Sequence, residues 1–180
     1  MSASAPPQPP APIATPAPLG WRVVALAYDL FPVLALAFAG SALMLLARGG
    51  TPVNPGSAGA YAETAWLWAL CGAYFVASWR RGGQTLGMRP WRLRVVANDG
   101  RLAGWRALAT RYAVATLPAL GVVELAALGA WPEPMVPFWL AGAVALAGPL
   151  AALFDGENRA LYERWSGTRL VRLTPADGTR

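Results

Sequence analysis

Three charged residues stand inside runs that otherwise suit lipid. Arg22 and Asp29 lie in "GWRVVALAYDLFPV", residues 20 to 33, and Arg111 lies at the start of a third apolar run. A carboxylate in such surroundings can exchange a proton, help hold a monovalent cation, or pair with a guanidinium and lock helices together. At ~1.5 Å per residue, Asp29 sits about 10 Å past Arg22, beyond the headgroups and short of the midplane. Left unpaired there, it costs about 2.5 to 3.5 kcal/mol on insertion scales. Arg22, two turns earlier on the same face, reaches it only in part and extends more easily toward the interface. Arg111, entering from the same side at similar depth, is the expected partner of Asp29. Pro32 has no N–H for the carbonyl of Tyr28, so the helix is expected to kink and free an oxygen beside the carboxylate. Two readings follow: a structural salt bridge, or a site that couples to a proton or sodium ion. Glu124, nearer the outer face, is a further candidate with the same two readings, and Glu63 is expected at an interface.

The composition supports lipid as the solvent for these charges. Of 180 residues, 56% are hydrophobic and 13% charged, against about 25% charged in soluble domains. No histidine and a single cysteine, Cys71, are present. A disulfide within the chain is therefore impossible, the commonest metal ligand is missing, and no nucleophile beside an imidazole base can be built. No enzyme, metal or cofactor is expected.

Four elements must position the charges. Apolar runs cover about 22–47, 61–79, 107–130 and 136–153, and about 20 helical residues cross a bilayer core. The expected fold is an all-α membrane protein: a four-span transmembrane helical bundle with a small cytoplasmic β-hairpin or strand element and a short amphipathic helix. A three-span rival places "WPEPMVP", residues 131–137, in a re-entrant hairpin. Small residues Gly72, Ala73, Ala77 and Ser78, and Gly142 with Gly148, suit close helix packing. Residues 1–18 hold seven prolines and no charge. They lack the charged start and apolar centre of a secretory signal and are expected to form a disordered cytoplasmic tail. A membrane domain over 19–173 and a disordered tail over 174–180 complete the organisation.

All 15 basic residues are arginines, and eight of them fall from the end of the second run to the start of the third: Arg80, Arg81, Arg89, Arg92, Arg94, Arg101 and Arg106 between the runs and Arg111 just inside the third. Five more follow Leu153. The positive-inside rule then puts both termini and the 80–106 loop in the cytoplasm, with Trp21, Trp79 and Trp131 at interfaces. That rule also accounts for the pI near 10.4, so no nucleic-acid partner is expected. Within the loop, "WRLRVV" alternates like a strand and Asn98-Asp99-Gly100 favours a tight reversal into a hairpin. "GTRLVRL", Gly167 to Leu173, offers a third strand. "ENRALYERW", Glu157 to Trp165, suits an amphipathic helix with its arginines toward anionic headgroups.

Arg22 and Asp29, "GGQTLGMRPWRLRVVANDG" and "ALYERWSGTRLVRL" together resemble the RDD family of bacterial integral membrane proteins, named for one arginine and two aspartates. The likeness covers about residues 19 to 173. Its most specific parts are Gly83, Gln84, Thr85, Leu86 and Gly87, and Ser166, Gly167 and Thr168. The family's second aspartate, often in a His-Asp pair, maps onto Tyr162-Glu163, where the charge is kept and the imidazole is lost. A lysine common in the family after Thr-Leu-Gly is replaced by Met88 followed by Arg89. The resemblance implies a multi-pass protein of the inner (plasma) membrane, and membrane transport is the activity usually suggested for the family. Two functions are carried from here. One is a small transporter or transport accessory, homo-oligomeric or bound to a partner membrane protein, coupling to a proton or sodium through Asp29. The other is a non-catalytic scaffold or assembly factor whose arginine-rich face binds lipid or a partner protein.

Overall fold

A computed structural model describes residues 13–127, 135–156 and 159–174. Its order is β1 (Ile13–Pro16), α1 (Leu19–Ala47), α2 (Ala58–Gly82), β2 (Leu93–Ala97), α3 (Trp105–Ala127), α4 (Met135–Leu150), a 3-10 turn (Ala151–Leu153), α5 (Leu161–Ser166) and β3 (Thr168–Thr174). The molecule is mostly helical. α1, α3 over Trp105–Ala126, and α4 with its 3-10 turn are long and apolar enough to cross a membrane. α2 has the length, 25 residues, but Glu63, Thr64 and its tryptophans and tyrosines make it more polar than those three. Of the rival re-entrant segment, residues 131–134 lie outside the described residues, and Met135–Pro137 begin α4.

The helices pack in sequence, α1 on α2, α2 on α3 and α3 on α4. Gly72 lets α3 come close: a Cβ there would stand 2.7 Å from the Tyr112 ring. Gly40 does the same where α1 meets Leu67 and Leu70 of α2. Gly142 has nothing near it. Pro32, Pro118 and Pro149 are all carried inside helices, and α1 runs past Pro32 without interruption.

At one end of the helices sits a three-stranded antiparallel sheet in the order β1-β3-β2. Leu93, Val95 and Leu170 from the sheet join Ala25, Trp79, Met88, Leu108 and Tyr112 in the core. This corrects the hairpin reading. The reversal at Asn98–Gly100 is made, with Gly100 N–H donating to Ala97 O at 2.9 Å. The chain after it (Arg101, Leu102, Ala103, Gly104) lacks strand alternation, and β2 pairs instead with the β-branched tail strand β3. The third strand comes from residues 13–16 of the expected disordered tail. Ile13 to Pro16 pair with Thr174 to Val171, and Ala17 is buried with its N–H on Leu170 O. Pro16 is tolerated because it ends an edge strand, where its missing N–H costs least. Residues 1–12 and 175–180 lie outside the described residues, as does Trp131.

The outer rim of β2 is closed by the chain itself. Leu93, Val95 and Ala97 donate their N–H groups to Met88, Gly83 and Arg101 carbonyls at 3.2, 2.7 and 2.8 Å. The expected amphipathic helix is shorter than its sequence suggested: α5 covers Leu161–Ser166, Arg159 and Ala160 precede it unwound, and Glu157 and Asn158 lie outside the described residues. Asp155 explains the late start, accepting from Arg159 N–H at 2.9 Å and holding that residue outside the helix. Trp79, expected at an interface, is 7% exposed and belongs to the core.

Candidate functional site

Glycines close both turns that build the site. Gly83 ends α2 in the left-handed conformation, φ +73°, with its N–H on Trp79 O at 2.7 Å. A Cβ at Gly83 would also meet the Arg94 side chain and Val95 O. Gly167 ends α5 the same way at φ +64°, the backbone region where glycine carries no steric penalty. From Gly83 the segment 84–88 turns back against α1. Gln84 anchors it by donating to Leu93 O at 2.7 Å, which leaves Thr85 and Gly87 facing Asp29.

Asp29 is 2% exposed. Its carboxylate accepts from the Thr85 hydroxyl, from Tyr74 O–H at 3.1 Å and from Gly87 N–H at 2.9 Å. Tyr74 O–H in turn accepts Leu86 N–H at 3.3 Å. Gly87 must be glycine, because a Cβ there would sit 2.3 Å from Ala25 O and 2.7 Å from Asp29 N. The chain crosses α1 at backbone contact.

The second cluster is ionic and centres on Glu163, 1% exposed. Arg22 donates to Oε2 at 2.9 Å, and Arg111 reaches Oε1 at 3.4 Å through both terminal nitrogens. Two backbone donors complete it: Ala160 N–H at 2.9 Å, which caps the start of α5, and Leu170 N–H at 2.8 Å. Arg111 also donates to Thr168 Oγ1 at 2.8 Å, and Ser166 Oγ lies 2.7 Å from that hydroxyl. The Trp79 and Tyr162 rings flank the guanidinium at 5.5 and 4.7 Å, a placement that favours a desolvated cation. Arg22 is fixed further by donating Nε–H to Ala17 O at 2.9 Å.

The expected pairing of Asp29 with Arg111 is therefore not the one formed. Arg111 turns to Glu163, which also binds Arg22, since a carboxylate with two guanidinium groups and two N–H donors is better satisfied than Asp29 could be. Every other position expected from the sequence falls in these two clusters or their turns, with the exception of Glu124. That residue lies near the far end of α3 and joins neither. Tyr74 and Trp79 complete the clusters without any motif to mark them, and Tyr162 does so from the motif pair Tyr162-Glu163. At the opposite end, Arg48 pairs with Glu63 at 2.6 Å. No group of three or more metal-ligand side chains exists among the described residues.

The residues so gathered span nearly the whole chain, and so does one family model, that of the RDD family, which matches residues 16–167. The chain belongs to the RDD family. Both clusters of this RDD protein are drawn from the matched stretch, apart from Thr168 and Leu170 just beyond it. No curated protein and no solved structure matches the chain.

Proposed function

We propose that this RDD protein is a non-catalytic, multi-pass scaffold of the bacterial inner membrane, in which both buried carboxylates hold a cytoplasmic cap onto the spans. One observation carries this reading: Asp29, 2% exposed, has its oxygens occupied by Thr85, Tyr74 and Gly87. A cation would have to displace donors that the fold has already committed. In this reading α2 is a fourth span. The sheet gathers at the ends where α1 and α3 begin and α2 and α4 stop, and the arginines flanking those ends put that side in the cytoplasm, with both termini. Exposed Arg81, Arg89, Arg92 and Arg106 meet anionic headgroups. Helices packed in a row bury little of one another, so a second copy or another membrane protein covers them.

A carrier that exchanges a proton or sodium is the competing reading. One feature favours it: among the described residues Asp29 is met by two hydroxyls and a backbone N–H and not by a guanidinium, and Pro32 lies three residues further along the same helix. Proton and sodium flux in proteoliposomes separates the two. The scaffold reading expects background flux from wild-type protein and a lower folded yield from Asp29→Asn. Robust wild-type flux, abolished in Asp29→Asn protein of normal abundance, would establish the carrier instead.

A further inference from the structure

The chain between Gly87 and β2 is a short, braced turn laid against the outside of α1. Arg89, Pro90, Trp91 and Arg92 form a β-turn in which Arg92 N–H donates to Arg89 O at 3.1 Å, with proline at the position that favours it. Leu93 N–H closes the turn on Met88 O at 3.2 Å, and Leu173 N–H ties it to β3 through Arg92 O at 2.9 Å. Trp91 lies on α1, its ring 4.8 Å from Trp21 and 5.7 Å from Tyr28, and Arg172 stacks over Trp21 at 4.6 Å. Arg89 and Arg92 are exposed, and among the described residues neither has an ion pair. Arg92 holds its side chain from a left-handed backbone, φ +55°, where glycine is the favoured residue.

We propose that this turn binds one anionic phospholipid of the bilayer, its phosphate on Arg89 and Arg92 and an acyl chain along Tyr28 and Phe31. The inference deepens the scaffold reading, on whose cytoplasmic placement of the cap it rests, by turning a general attraction for headgroups into a site. Depth is the first argument. α1 has 29 residues, about 43 Å of helix, so its first turns stand in the headgroup layer outside the ~30 Å core. Gly87 is at backbone contact with Ala25 and Asp29 of α1, and two residues of chain carry Arg89 at most ~7 Å further. Charge is the second. The ends of a β-turn are less than ~7 Å apart, which lets two guanidinium groups share one phosphate, while a choline or ethanolamine headgroup would bring a third cation to them. Asp29, behind the turn, is buried and committed to three donors, which leaves the pair to an outside anion. Tyr28 and Phe31 are exposed on α1 beside Trp91, and a free phosphate would leave that apolar surface uncovered.

The test titrates phosphatidylglycerol into full-length protein in uncharged detergent micelles and counts bound lipid by native mass spectrometry. One lipid should be retained in preference to phosphatidylcholine of the same chains. Arg89→Gln and Arg92→Gln should each weaken that binding about fivefold, the effect of one arginine at an anionic surface. Arg92→Gly fits the left-handed backbone better than arginine does, so lipid lost there, with a melting transition at or above that of wild type, is lost with the guanidinium and not through misfolding. Arg101→Gln, an equal change of charge beyond the far end of β2, should leave binding unchanged. Equal retention of phosphatidylcholine, an equal loss in Arg101→Gln, or wild-type affinity in the Arg89→Gln, Arg92→Gln double variant overturns the proposal. So does full displacement of the lipid by glycerol phosphate, which would make this a site for free phosphates, or by an acidic peptide, which would make it a protein site. These outcomes leave the scaffold reading standing, whereas Asp29-dependent flux would sink that reading without altering lipid affinity.

Discussion

Glu163 and Asp29 are both buried carboxylates, exposed by 1% and 2%, but one is met by two guanidinium groups and the other by two hydroxyls and a backbone N–H. The difference follows from what each must join. Glu163 ties together parts of the chain 141 and 52 residues away, holding α1, α3, α5 and β3 around one point at the end of the helices. Asp29 lies deeper in a candidate span and, among the described residues, fastens α2 and the 85–87 turn to α1. Arginines near the cap can be fully partnered and ringed by Trp79 and Tyr162, whereas the deeper site uses neutral donors whose own burial costs less. Loss of Glu163 strands two cations; loss of Asp29 strands a few neutral donors.

That contrast can be broken or sharpened by substitution, read as unfolding in micelles by tryptophan fluorescence. Glu163→Gln should cost most, about 3 to 5 kcal/mol, because it leaves buried guanidinium groups uncompensated. A cost below that of Asp29→Asn would reverse the ranking. Gly87→Ala should follow at about 3 kcal/mol, since its Cβ meets backbone that cannot step aside; a wild-type transition would show that the turn does not touch α1. Asp29→Asn, which sets an amide against three donors, should lose about 2 kcal/mol. Thr85→Val removes one of those donors at nearly constant shape and should lose about 1 kcal/mol. Arg48→Gln breaks the pair with Glu63 at the opposite end, which is part-exposed, and should change stability by less than about 1 kcal/mol. A larger loss there would mean that the cap is not where the helices are chiefly held.

The contrast also explains how far the sequence could be read. The apolar runs declare the helices because their length answers to the bilayer, and α1 begins and ends within three residues of its expected bounds. Thr85, Gly87, Glu163 and Thr168 stand out as motif positions: the first two reach the Asp29 carboxylate, Glu163 is the second buried carboxylate, and Thr168 accepts from its partner Arg111. Who pairs with whom was not legible. Arg111 is at a depth suited to Asp29, and only the folding of β3 and α5 back over α3 delivers a better partner. The sheet was misread for a related reason. Ile13–Pro16 gain their conformation from pairing with Thr174 to Val171, a stimulus 155 or more residues away, and local proline content speaks only for the isolated segment.

The closed rim of β2 has a consequence for a protein crowded in a membrane plane. A free strand edge on one copy is a template for the next, and neighbours confined to two dimensions meet often. Here the outward N–H groups of Leu93, Val95 and Ala97 already have carbonyl partners from the same chain. The opposite rim is a four-residue strand ending in Pro16, which has no N–H to offer. Copies that meet in one membrane plane therefore find no open strand edge on this rim or a long one on the other, and their sheets stay separate.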